Sequence, residues 1–271
     1  MIENLPPLRD VIEKAGLKAD KKFGQNFLLD LNITQKIVRA SGLPENVHTY
    51  EVGPGPGGLT RALLLNGNNV HAIEMDTRTQ SILDDIQHSS DGRFTYSFGD
   101  ALVYNWSNID NQSAIIANLP YNVATPLILN WLKLSWQNPA SIERMALMVQ
   151  KEVADRICAT PDQKTYGRLS VMCQWLMDVS SIITLPPKAF TPAPKVHSSV
   201  VLFIPRPDRP KADFKSMERV VASAFNQRRK MIRTSLKSYA FDWDAFNIDS
   251  TKRAENLTID EYVQLSKALN D

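Results

Sequence analysis

The chain has 271 residues, 43% of them hydrophobic and 22% charged, with a net charge of +2 and a pI near 8.4. That apolar content supports a full core and excludes a disordered polymer, while the mild net charge names no partner by itself. The length allows one large domain with a small appendage, and Cys158 and Cys173, with no CxxC pair or neighbouring His, exclude a disulfide framework or zinc site and read as two buried thiols in a reducing compartment.

The N-terminal MIENLPPLRDVIEKAG carries acidic residues and no apolar stretch of signal-peptide type, and nowhere does the chain reach membrane-spanning length. A soluble, cytoplasmic protein is expected. Residues 8–19 read as a short amphipathic helix. Gly24 then breaks the pattern, and Asp30 or Asn32 caps a second helix with Ile33, Ile37 and Val38 on one face. Between them, Gln25 and Asn26 read as a solvated loop.

A strand over 48–52, the loop Gly53-Pro54-Gly55-Pro56-Gly57-Gly58, a helix through Leu65 and a strand over 69–75 form a βαβ unit. The loop fits GxGxxG at Gly53, Gly55 and Gly58, and Glu74 stands 21 residues after Gly53, where an acidic ribose ligand is expected. Pro54 and Pro56 lack the N–H donors that a pyrophosphate needs, which disfavours a NAD-dependent dehydrogenase. A nucleoside whose arm carries no phosphate suits the loop better. S-adenosylmethionine is such a ligand, with its ribose on Glu74 and its methionine arm over Gly53 and Gly55.

A helix over 77–87 and a strand over 94–98 lead to Gly99-Asp100, where the carboxylate either accepts from an adenine amino group or caps the next segment. The apolar run 113–117 ends at Asn118-Leu119-Pro120-Tyr121. These residues read either as a strand-ending turn or as a holder for a planar amine. In the second reading the Asn118 oxygen and a carbonyl near Leu119 accept two amine hydrogens, and Tyr121 stacks on the base. Strands ending at Gly53, Glu74, Asp100 and Asn118 share one crevice in a doubly wound sheet.

A helix from Thr125 through Trp136, a strand over 145–149 and a helix over 152–159 follow. Tyr166-Gly167-Arg168-Leu169-Ser170 opens another helix, with Met172, Trp175 and Leu176 in the core. Strands over 179–185 and 198–204 have no helix between them and read as an antiparallel addition to the sheet. In the Pro-rich loop joining them, Phe190 either closes the other face of a base held by Tyr121 or anchors the loop. Residues 205–210 read as a linker. From 205 to 240 there are ten Lys or Arg against three acids, a net of +7 in a chain that nets +2. Arg228, Arg229, Lys230 and Arg233, on about one helical turn, read as a phosphate-backbone contact, with a solvated face as the plain alternative.

Taken together, FGQNFL (23–28), EVGPGPGGLT (51–60), IEMD (73–76), GDAL (99–102), NLPYNVATP (118–126), QKEV (150–153), YGRLSV (166–171), FTPAPKV (190–196) and AFNQRRKMIRTSLK (224–237) closely resemble the bacterial ribosomal RNA adenine N6,N6-dimethyltransferase family. The resemblance covers nearly the whole chain, and the last stretch separates this family from other adenine methyltransferases. It implies an α/β, class I S-adenosylmethionine-dependent methyltransferase fold: a Rossmann-like seven-stranded sheet whose last strand is antiparallel, over 1–206 with an N-terminal extension. A small C-terminal α-helical RNA-binding domain over 207–271 is implied beside it.

By the same resemblance the cofactor ligands fall on Gln25, Asn26, Leu28, Gly53, Gly55, Glu74, Asp100, Ala101 and Asn118, with no metal. Asn118, Leu119, Pro120, Tyr121 and Phe190 form the implied catalytic set, and Arg228, Arg229, Lys230, Arg233 and Lys237 the implied RNA contacts. His197 departs from the acidic residue expected in many relatives. The implied activity is dimethylation of two adjacent adenosines in a hairpin loop near the 3′ end of 16S ribosomal RNA. A monomer acting on a pre-30S particle is the expected form. The alternatives are a large-subunit methyltransferase conferring macrolide resistance and an assembly factor whose catalysis is secondary.

Overall fold

A computed structural model describes residues 1–269. Helix α1 (Leu8–Lys14), strand β1 (Phe27–Leu28) and helix α2 (Leu31–Ala40) come first. An alternation follows: β2 (His48–Val52), α3 (Gly58–Leu65), β3 (Asn69–Glu74), α4 (Gln80–Ser89), β4 (Phe94–Phe98), β5 (Ser113–Asn118), α5 (Ala124–Gln137) and β6 (Ile142–Gln150). The remainder is α6 (Lys151–Ile157), α7 (Arg168–Leu176), β7 (Met177–Leu185), β8 (Phe190–Thr191), β9 (Ser198–Pro205), α8 (Phe214–Asn226), α9 (Ile232–Ser235) and α10 (Ile259–Lys267).

Seven strands form one sheet in the order β4-β3-β2-β5-β6-β9-β7, with β2 to β6 parallel to their neighbours and β9 antiparallel to β6. This is the class I methyltransferase sheet expected from the sequence. Strand order reverses between β2 and β5, which opens a crevice at their carboxyl ends. The central strands are covered on both faces, so β5 and β6 are continuous apolar runs: Ala114 to Ala117 and Met145 to Val149 are each at most 2% exposed. Asp30 caps α2 by accepting from the Asn32 N–H at 2.9 Å.

Three local expectations change. The first helix ends at Lys14 rather than near 19, because Gly16 turns the chain at φ +60°. Phe27 and Leu28 pair antiparallel with Thr191 and Phe190 as a separate two-stranded sheet, a pairing that no local periodicity announces. Of the two thiols, Cys173 is buried and Cys158 only half-buried.

The chain divides into two compact units, 1–154 with 180–204, and 155–179 with 205–269. In the second, Phe225 lies between the rings of Tyr166 and Tyr262 at centroid distances of 6.2 and 6.0 Å. The segment read as a linker is tied down, since Trp175 Nε1 donates to the Pro210 carbonyl at 2.8 Å and the Arg206 N–H to the Leu176 carbonyl at 3.0 Å. Nor does the basic run form one helix. Helix α8 stops at Asn226, residues 227–230 turn, and α9 begins at Ile232.

Candidate functional site

The carboxyl ends of β2, β3, β4 and β5 line a cleft with about 900 Å³ of space, open solvent included. From the β2 to α3 loop come Gly53 and Gly55; from β3, Ile73, Glu74 and Met75; from the end of β4, Gly99, Asp100 and Ala101; and from β5 and its turn, Asn118 to Val123. Residues 22–27 supply the remaining wall.

From Gly53 to Gly57 every available N–H is already engaged. Gly53 donates to the Ile73 carbonyl at 2.9 Å, Gly57 to the Pro54 carbonyl at 2.9 Å, and Gly55 to Glu74 Oε2 at 2.9 Å. With prolines at the two intervening positions, residues 53–57 have no N–H left for a phosphate. Gly58 is required for a different reason. A Cβ there would lie 2.5 Å from the Leu28 carbonyl oxygen, so β1 crosses the start of α3 at a distance only glycine permits.

Glu74 is 5% exposed and is held by three backbone donors, Gly55 at Oε2 and Met75 and Asp76 at Oε1, both at 2.8 Å. Burial pushes its carboxyl above the ordinary range, against the pull of those three amides. A carboxylate has about four acceptor sites, so one remains. On the neighbouring strand Glu51, 1% exposed, accepts from Thr60 Oγ1 at 2.6 Å; burial, aided by the Glu74 charge, pushes it up to about 8. Sequence reading had given Glu51 no part.

At the next strand end, Asp100 Oδ1 accepts from the Leu102 N–H at 2.9 Å, and the Ala101 carbonyl accepts from Trp106 Nε1 at 2.8 Å. Asn118 Nδ2 donates to the Asn26 carbonyl at 3.0 Å. That bond fixes the amide, and Oδ1 receives no protein donor among the described residues. Tyr121 is half-buried with its hydroxyl 2.8 Å from Ser198 Oγ, and burial raises its phenol. Residues 22–27 pass close over this turn: a Cβ on Gly24, at φ +63°, would lie 3.4 Å from Pro120 Cβ.

Gln25, Asn26, Gly53, Gly55, Glu74, Asp100, Ala101, Asn118, Leu119, Pro120 and Tyr121 thus come together on one cleft. Leu28 and Phe190 do not line it. They are 5% and 4% exposed in the hydrophobic core and face each other across the β1–β8 pair. An apolar ring gains more from that burial than from an open wall. The Phe190 ring anchors its loop in that core. The cleft also takes in Phe23, Phe27, Asn122, Val123 and Leu127, apolar or neutral side chains to which the sequence assigned no individual role.

In the second unit Arg229, Lys230, Arg233 and Lys237 are exposed. Arg228 differs. It is half-buried, with Nε 2.5 Å from Glu255 Oε2 and a terminal nitrogen 2.6 Å from the Lys164 carbonyl. Among the described residues no group of three or more His, Cys, Asp or Glu is arranged to hold a metal, and no helix is long and apolar enough to cross a membrane.

The family model described as ribosomal RNA adenine dimethylase matches residues 16–271. A relative from Jannaschia sp. (strain CCS1), named ribosomal RNA small subunit methyltransferase A, is 48% identical over 100% of this chain and 96% of its own length. One of the same name from Chelativorans sp. (strain BNC1) is 46% identical over 99% of both chains. Among solved structures, a dimethyladenosine transferase from Plasmodium falciparum aligns over 87% of this chain and 94% of its own, with a TM-score of 0.75 and 21% identity. The 23S rRNA methyltransferase ErmE aligns over 91% and 100%, with a TM-score of 0.66 and 21% identity. These two structural likenesses concern the fold.

Proposed function

The chain belongs to the ribosomal RNA adenine dimethylase family, and from that premise we propose that it methylates the N6 amines of two adjacent adenosines in a hairpin loop of small-subunit ribosomal RNA, twice each. It is an S-adenosylmethionine-dependent enzyme, and the cleft fits that cofactor. A buried acidic residue waits at the ribose position, while residues 53–57 of the glycine loop have no amide free for phosphate. Bound S-adenosylmethionine supplies an electrophilic methyl group on a sulfonium centre.

In this reading Glu74 Oε2 holds a ribose hydroxyl with its remaining acceptor site. Asp100, whose Oδ2 accepts no protein donor among the described residues, takes the adenine amino group of the cofactor, with Ala101 beside it in the cleft wall. Gln25, Asn26, Gly53 and Gly55 wall the arm of the ligand.

The observation that carries the reaction is the orientation of Asn118. Its amide nitrogen is committed to the Asn26 carbonyl, which leaves Oδ1 as an acceptor beside the Leu119 carbonyl, itself without a protein donor among the described residues. Two acceptors at that turn bind both hydrogens of a target amine and weaken the delocalisation of its lone pair into the ring. They also stabilise the positive charge that the nitrogen gains on transfer, before a proton is lost. Tyr121 offers a stacking face, with its hydroxyl held by Ser198. Because the substrate bases must leave their stack, a hairpin loop costs less than a duplex.

Arg229, Lys230, Arg233 and Lys237 carry the phosphate contacts, with Arg228 shaping the turn that displays them. The protein acts as a cytoplasmic monomer on a pre-30S particle. Methyl transfer from labelled S-adenosylmethionine to small subunits purified from a strain lacking the modification, followed by digestion to nucleosides, tests the proposal. Dimethyladenosine from small-subunit RNA is expected. Label confined to large-subunit RNA, or tight subunit binding without label, overturns it.

A further inference from the structure

Gln25 lines the cleft, and both polar atoms of its side chain are bonded inside the protein. Oε1 accepts from the Asp20 N–H at 2.9 Å, and Nε2 donates to Asp76 Oδ2 at 2.8 Å.

Its partner is built to receive. Asp76, 2% exposed, lies two residues beyond Glu74, and its carboxylate also takes Arg78 Nε at 2.8 Å and an Arg78 terminal nitrogen at 2.6 Å. Its backbone N–H donates to Glu74 Oε1 at 2.8 Å, which fixes it to the end of β3, and its carbonyl accepts from the Thr79 N–H and hydroxyl at 3.1 and 2.7 Å. Arg78 reaches over the ring of Phe23 at 5.9 Å from the centroid, and Lys22 lies 5.5 Å from the same ring.

One residue after Gln25, the Asn26 carbonyl receives Asn118 Nδ2 at 3.0 Å. Residues 20–26 are therefore fastened at two points, to the end of β3 through Asp76 and to the end of β5 through Asn118. Residues 22–27 around these fastenings form a wall of the cleft.

We propose that Gln25 and Asp76 form a clasp that holds residues 20–26 across the cofactor cleft and so places the Asn26 carbonyl that orients the Asn118 amide. Both are positioning residues rather than ligands. The proposal rests on the reading of this cleft as the S-adenosylmethionine site. It joins two properties that are otherwise separate: with the clasp broken, the cofactor loses a wall and the Asn118 amide loses its fixed orientation. Affinity and transfer rate then fall together.

A simple surface stitch behaves differently, and reversing the polarity of the pair separates the two cases. In Gln25→Glu the new carboxylate still accepts from Asp20 but opposes Asp76. Adding Asp76→Asn restores a hydrogen bond of opposite direction, without restoring the charged pair to Arg78.

The full chain and the variants Q25E and Q25E/D76N are compared by dissociation rate of S-adenosylhomocysteine, single-turnover methyl transfer to small subunits at saturating S-adenosylmethionine, and melting temperature. Q25E is expected to raise the dissociation rate about tenfold, equivalent to about 1.4 kcal/mol, and to slow transfer. The double variant is expected to recover most of both losses. A Q25E rate within about twofold of the parent, or a double variant no better than Q25E, overturns the clasp. Should Q25E melt well below the parent, Gln25→Leu, which removes the bond without adding charge, must show the same faster release for the clasp to stand. Failure of the unaltered chain to bind S-adenosylhomocysteine overturns the cofactor reading instead.

Discussion

Replacing Glu74 by Gln probes the cleft at its most constrained group. The carboxylate accepts from Gly55 at one oxygen and from Met75 and Asp76 at the other, at 2.8 to 2.9 Å. An amide keeps only one acceptor atom. Its better orientation leaves the oxygen on Met75 and Asp76 and turns the NH2 toward the Gly55 N–H, donor against donor. One charge-assisted hydrogen bond disappears, worth about 1.5–3 kcal/mol, and the glycine loop loses its tie to β3. The ribose loses its charged acceptor at the same atom. At about 1.4 kcal/mol per tenfold, cofactor affinity falls about tenfold to a hundredfold. Calorimetric titration with S-adenosylhomocysteine measures this, beside a melting curve of the free protein. Binding within about twofold of the parent, with an unchanged melting temperature, refutes both the ribose role and the loop tie.

Asn118→Ala removes the acceptor aimed at the target amine. Single-turnover transfer at saturating cofactor is expected to fall by about a hundredfold or more, and a rate near that of the parent refutes the role. Glu51 tests linkage. Its folded-state value of about 8 lies above its ordinary value, so the folded protein binds that proton more tightly than the unfolded chain. Its contribution is complete below the ordinary carboxyl range and is lost as pH rises toward 8, by up to about 1.4 kcal/mol per pH unit. Glu51→Gln, which still accepts from Thr60, is therefore expected to gain stability relative to the parent from pH 5 to 8 in denaturant titrations; a constant difference refutes this. In the basic turn, Arg229→Ala and Lys230→Ala are expected each to lower the salt slope of RNA binding by about 1. Arg228→Ala, which removes a half-buried ion pair with Glu255, is expected to show mainly as a lower melting temperature.

Much of the framework was legible from the chain alone. The strand, glycine loop and helix from His48 to Leu65, the acid at Glu74 and the apolar run into Asn118 are local patterns, and parallel strands between helices admit few arrangements. Proline at 54 and 56 even indicated what the loop does not bind, because a missing N–H is a property of the residue itself. Only the tertiary structure decided the partners of groups with several chemically equal choices. The pairing of Leu28 with Phe190 brought both side chains into the core. Glu255 and the Lys164 carbonyl withdrew Arg228 from a run of look-alike cations. Burial raised Glu51, and Gln25 found Asp76 rather than solvent. Periodicity and turn chemistry act over a few residues and are written in the sequence. Selection among equivalent distant donors and acceptors depends on which strand ends the sheet brings together, and that emerges only when the chain closes on itself.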